Sequence, residues 1–200
     1  KRLPVVERGE GVYLYDEEGK RYFDASSGPI TCNIGHANPK VLEAIKDQSE
    51  KVCFASHAFF ENRPNRDLAK SLVNLTGNKY DQAFFVSGGS EAIEASFKLA
   101  RQYALACGKT KKHKIIARTP SYHGSTMGAF SASDDVEMKE NFQSLTKISI
   151  KVPAPLSYRI PDNFDASSYA RFCLDALERT IADEDPEDCL LYTSDAADDC

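Results

Sequence analysis

Phe84-Phe85-Val86-Ser87-Gly88-Gly89-Ser90-Glu91-Ala92 is the point where a short apolar run gives way to a glycine turn and then to a helical pattern. Gln82 to Val86 reads as a strand and Ser87 to Ser90 as the turn. Glu91 to Cys107 reads as a long helix with Ile93, Phe97, Ala100 and Ala104 along one side, and Gly108 ends it. Lys114 to Arg118 is a second strand, followed by the loop Thr119-Pro120-Ser121-Tyr122-His123-Gly124. Strand, helix and strand in that order predict a βαβ unit. The fold class is therefore α/β, with a mainly parallel sheet covered by helices.

Outward from this unit, Ser149 to Val152 is a further strand, Pro153 to Pro161 a loop and Ser167 to Ile181 a helix. Upstream, Val12 to Asp16 and Arg21 to Ala25 flank Glu17-Glu18-Gly19-Lys20, which predicts a β-hairpin with Gly19 supplying positive φ. Asn38-Pro39 is a helix start, cap followed by Pro at the first helical position, with Val41, Leu42 and Ile45 as its stripe. Pro64 to Thr76 predicts another helix with Leu68, Leu72, Val73 and Leu75 as its stripe and Gly77 as its stop.

The 200 residues are 42% apolar and 28% charged, with 11 Gly and 9 Pro, which is globular composition and excludes collagen, repeat arrays and wholesale disorder. No apolar run approaches the roughly 18 residues of a membrane span, so no membrane is expected as a partner. Eight of the 30 acidic residues and none of the 25 basic ones lie in 183–200, which leaves the rest with a net charge of +3. That near-neutral body argues against nucleic acid, and the short cluster Lys109, Lys111, Lys112 and Lys114 reads as a solvated loop. The six cysteines (Cys32, Cys53, Cys107, Cys173, Cys189 and Cys200) show no C-x-x-C pair and no zinc spacing. They read as reduced thiols of a cytoplasmic protein, and no metal site is expected; a targeting peptide lost upstream of Lys1 stays an alternative.

Where a strand feeds a helix, unpaired N–H groups and the positive end of the helix dipole face the sheet's carboxyl edge. Gly88 and Gly89 let an anion approach that backbone, and Ser90 adds a hydroxyl, so a phosphate is the natural guest. The plainer alternative is that Ser90 only caps the helix and the glycines only make the turn. No Gly-Lys-Ser/Thr follows and G-x-G-x-x-G is absent, so neither a P-loop nor a dinucleotide fingerprint is present. Tyr122 and His123 fall at the same edge, where open α/β sheets collect ligands. A flat phenol beside a phosphate cradle suits a phosphorylated heteroaromatic cofactor, although singly Tyr122 also fits an ordinary loop aromatic and His123 a structural histidine.

Asp24-Ala25-Ser26-Ser27-Gly28, Gly35-His36-Ala37-Asn38-Pro39, Phe85 to Ala92 with Lys98-Leu99-Ala100-Arg101, and Tyr122-His123-Gly124-Ser125-Thr126 follow one another in order. In these motifs, from about Gly11 to about Cys189, the chain resembles the class III (ω-type) aminotransferases, pyridoxal-phosphate enzymes of fold type I. The resemblance implies pyridoxal 5'-phosphate as cofactor, with Gly88, Gly89 and Ser90 at its phosphate, Tyr122 stacked on its ring and His123 in support. It implies amino-group transfer from an amine or ω-amino acid to a keto acid, and a homodimer when intact. Residues 1–54 would open the small domain and 55–189 would form the first half of the cofactor domain. The chain departs from the family at Gly88, often Ser, at Ile93, often Asn, and near Ile30, where many amine transaminases carry an aromatic.

Family members run to about twice this length, a multidomain size. The resemblance places the Asp that pairs with the pyridine nitrogen, the Schiff-base lysine and a phosphate-reaching Thr beyond the chain end. No residue here takes a catalytic role, Lys98 and Lys151 included, and the 200 residues alone are expected to be inactive. Residues 190–200 do not resemble the family, which has an apolar buried strand there, and read as foreign read-through on a truncated gene. A mutase, racemase or decarboxylase of the same fold is an alternative, as is a non-catalytic truncated subunit. A serine hydrolase is disfavoured because no G-x-S-x-G surrounds Ser90 or Ser125.

Overall fold

Asp16 organises the amino-terminal hairpin. Its carboxylate accepts hydrogen bonds from Glu18 N (3.0 Å), Lys20 N (2.9 Å) and Tyr22 Oη (2.7 Å), so a short acidic side chain closes the turn that Gly19 enters at φ +78°. The strands β1 (Val6–Glu10), β2 (Tyr13–Asp16) and β3 (Arg21–Phe23) form an antiparallel meander in which Tyr13 faces Phe23 and Leu14 faces Tyr22. The predicted hairpin is present; β1 was not predicted, because Val6-Glu7-Arg8-Gly9-Glu10 has too little apolar alternation to announce a strand.

A single helical turn, α1 (Ser27–Ile30), precedes α2 (Pro39–Ser49) and α3 (Arg63–Leu75). Asn38 Oδ1 accepts from Lys40 N and Val41 N, and Asn62 Oδ1 from Asn65 N, each with Pro in the first turn. Neither helix buries a residue. Val41, Leu42 and Ile45 on α2, and Leu68, Leu72 and Leu75 on α3, keep exposed apolar stripes.

The computed structural model describes residues 2–77, 79–134 and 136–193, in two compact units, Lys1–Ala83 and Phe84–Cys200. The second unit runs α4 (Gly89–Ala106), β4 (Lys114–Thr119), α5 (Met127–Ala132), α6 (Val136–Phe142), β5 (Ile150–Pro153), α7 (Ala166–Asp183) and β6 (Cys189–Thr193). Its three strands are parallel in the order β5-β4-β6, with Ile116 beside both Ile150 and Tyr192. Ile116, Ala117 and Val152 of the sheet, Ala129, Phe130 and Ala132 of α5 and Cys173 of α7 make the buried core.

The predicted parallel α/β sheet is thus present, but one of its strands is not. Gln82 to Val86 has no ladder partner among the described residues, and Phe84 is 74% exposed. Apolar character makes a segment ready to pair, but only a neighbour's N–H and C=O groups make it a strand. The parallel pairs are β4 with β5 and β4 with β6, and the crossovers are α5 with α6, and α7. Leu190, Leu191, Tyr192 and Thr193 lie in β6; residues 194–200 of the expected foreign tail lie outside the described residues.

The lysine cluster is also more than a solvated loop. Lys112 Nζ donates to Pro186 O (2.8 Å) and Cys189 O (2.9 Å), and Lys114 Nζ to Glu184 O (2.6 Å) and Glu184 Oε2 (3.1 Å). Together they clasp the α7–β6 turn to the amino end of β4. Among the described residues no helix is long and apolar enough to cross a membrane.

Candidate active site

Gly88 is the N-cap of α4 and offers no side chain to its first turn. Ala92 N is the first amide to find an acceptor there, at Gly88 O (3.1 Å), which leaves the N–H groups of Gly89, Ser90 and Glu91 without intrahelical partners. A Cβ built on Gly88 or Gly89 would meet nothing within 4 Å, so this edge of the backbone is open. Glu91 Oε2 does not cover it; it accepts from Ser87 N at 2.7 Å, one residue upstream.

The loop after β4 reaches this helix end. Ser125 N donates to Ser90 Oγ at 3.0 Å, and Gly124 sits so close that a Cβ there would stand 2.3 Å from the same oxygen. Gly124 has φ +132°, in the region that favours glycine. The Tyr122 hydroxyl lies 3.1 Å from Ser125 Oγ, and its ring is exposed. His123 is buried, and its N–H donates to Ser133 Oγ at 2.8 Å. Ser121 Oγ donates to Arg118 O (2.6 Å), and Asp134 N to Ser121 O (2.7 Å), which folds the loop back onto the end of α5.

Gly88, Gly89, Ser90 and Tyr122 are therefore joined through Ser125. His123 lies in the same loop, with its backbone anchored away from the helix. Sequence reasoning quoted Ser125 without giving it a role and passed over Ser133. A serine's partner 35 residues away leaves no local signal.

Two lysines bear on the chemistry. Lys151 Nζ donates to Ser133 O (2.8 Å), Ser131 O (3.3 Å) and Ala132 O, so it closes the carboxyl end of α5, where a cation meets the negative end of the helix dipole. Burial first, then the Lys139 ammonium, lower its pKa to about 8, against the pull of Asp134. Lys98 is exposed midway along α4. In the first unit, His36 Nε2 and Asp24 Oδ2 stand 2.8 Å apart and tie two of the sequence motifs together. Among the described residues no group of three or more His, Cys, Asp or Glu could hold a metal ion.

The profile of the family described as aminotransferase class-III matches residues 1–187. The chain belongs to the class III aminotransferases. Within this family it is 41% identical over 157 residues to the uncharacterized aminotransferase YodT of Bacillus subtilis (strain 168), covering 78% of this chain and 35% of that one. It is 43% identical over 145 residues to the acetylornithine aminotransferase of Aquifex aeolicus (72% of this chain, 38% of that one). Among solved structures, an amine transaminase from an uncultivated Pseudomonas species, in its PLP-bound form, superposes with a TM-score of 0.90 at 28% identity (96% of this chain, 44% of that one). A thermostable (S)-enantioselective omega-transaminase from Thermomicrobium roseum gives 0.89 at 33% identity (96% and 43%). The fold is that of the PLP fold type I transaminases, and the chain spans less than half the length of these relatives.

Proposed function

We propose that the family-length protein carrying this chain uses pyridoxal 5'-phosphate to move an amino group from an amine or ω-amino acid to a keto acid. The observation that carries this reading is the 3.0 Å bond from Ser125 N to Ser90 Oγ, which holds an aromatic loop against an uncapped, glycine-led helix start.

The residues present fit the cofactor. Its phosphate would be held by the N–H groups of Gly89 and Ser90, with Gly88 leaving the approach open and the helix dipole favouring the anion. Tyr122 would cover one face of its ring, kept in place by the hydroxyl contact to Ser125, and His123 would support the loop from beneath. When bound, the pyridine ring is the electron sink for breaking bonds at the amine-bearing carbon. This chain's own part is to grip the anionic tail, to orient the ring and to exclude water from one of its faces.

The family match also supports a homodimer as the working unit, residues 1–54 as the opening of the small domain and 55–189 as half of the cofactor domain. We assign no catalytic residue within the 200 residues. Lys151 is occupied by the α5 carbonyls and Lys98 is exposed in mid-helix. The chain alone therefore should not transaminate.

The test is cofactor titration of the family-length protein, followed by visible absorbance and circular dichroism. Tyr122→Ala is expected to weaken pyridoxal 5'-phosphate about tenfold and to change the dichroism of its band, as loss of an aromatic partner would. Unchanged binding and dichroism in the variant would sink the assignment of the ring. Borohydride fixing the cofactor to a lysine of the isolated 200 residues would overturn the claim of inactivity.

A further inference from the structure

We propose that Glu94 is a positioning residue for this cradle, setting the separation between the start of α4 and the Tyr122 loop by accepting a hydrogen bond from Gly128 N. The inference rests on the cofactor reading above.

Glu94 lies one turn beyond Ser90, so the two share a face of α4. Glu94 Oε1 accepts from Gly128 N at 2.8 Å. Gly128 is the second residue of α5, whose own N-cap, Thr126, makes no side-chain bond to the helix. A carboxylate from α4 thus supplies the capping oxygen that α5 lacks. The approach is close: a Cβ on residue 128 would stand 2.5 Å from Glu94 Oε2 and 2.7 Å from Oε1, so an alanine there would push the carboxylate out of its present position.

Two neighbouring positions on one helix face, Ser90 and Glu94, therefore hold the segment from Gly124 to Gly128 at both ends. One attachment leaves a pivot; two fix a direction. At the far end of α5, Ser133 grips His123 N. A shift of α5 consequently moves the loop that carries Tyr122. The role asks for an acceptor oxygen and not for a charge, which separates it from proton transfer and from simple electrostatics.

The experiment uses the family-length protein, titrated with pyridoxal 5'-phosphate and followed by visible circular dichroism, with amide hydrogen exchange measured before cofactor is added. Glu94→Ala and Gly128→Ala are each expected to raise the cofactor Kd about tenfold and to reduce the dichroism of the bound cofactor. Glu94→Gln, which keeps an acceptor, should stay within about twofold of the parent. The Ser125 amide should exchange faster in Glu94→Ala even without cofactor. The double variant should bind no more weakly than Glu94→Ala, since the clash at 128 needs the carboxylate. Parental affinity and dichroism in Glu94→Ala would overturn the inference, and so would a Glu94→Gln variant as impaired as the alanine. If Glu94→Ala does not fold, Glu94→Gln and Gly128→Ala decide the matter by the same readouts. Failure of the unmodified protein to bind the cofactor would instead bring down the cofactor reading, and this inference with it.

Discussion

Gly88 and Gly124 are both glycines of the cradle, yet the structure asks different things of them. Gly88 has φ −168°, extended backbone open to any residue, and space around its Cα. Gly124 has φ +132° and a serine oxygen where its Cβ would go. Gly88→Ser should therefore keep cofactor affinity within about twofold. Gly124→Ala should lose tenfold or more and lower the melting temperature, because strain and clash act together. Titration and thermal melts of the two variants side by side check this, and equal tolerance at both positions would refute it. The residue types of the cradle were readable in the sequence because glycine and serine before a helix carry a local meaning. The contacts that place them were not, since Ser90 with Ser125 and Glu94 with Gly128 are more than thirty residues apart.

Elements with local causes were equally readable. Asn38-Pro39 announced α2 and Glu17 to Lys20 the hairpin, because cap and turn chemistry acts over a few residues. Gln82 to Val86 failed as a strand since pairing is a property of two segments. The hairpin also carries a pH dependence. The Tyr22 hydroxyl, with the Lys20 and Glu18 amides, holds the Asp16 carboxyl below its ordinary value against the opposing effect of burial, and Asp16 in turn raises the Tyr22 phenol. A lowered carboxyl pKa contributes stability that is full above the usual value of about 4 and disappears as pH falls through the depressed one. A raised phenol pKa contributes stability that is present below about 10 and disappears as pH rises through the elevated one. Melting of the chain from pH 2 to 11 should show both losses, and Asp16→Asn should flatten them. An unaltered profile in that variant would refute the assignment.

On the scale of the whole molecule, the apolar stripes of α2 and α3 and the bare Phe84 and Leu99 leave much uncovered hydrocarbon. Expressed as 200 residues, the chain should self-associate, and size-exclusion chromatography should find little monomer. A stable monomer with native-like dichroism would show that these surfaces need no cover.

The strand order β5-β4-β6 has one more effect. From β4 the chain steps to one side, then from β5 it passes over β4 to the other. Right-handed crossings in opposed directions put their helices on opposite sides of the sheet. The two connections thus part company as they leave the carboxyl ends of β4 and β5, the place where open sheets wired this way collect ligands. The Tyr122 loop starts from the carboxyl end of β4, so its location was settled by how the strands are wired before any side chain took up a task.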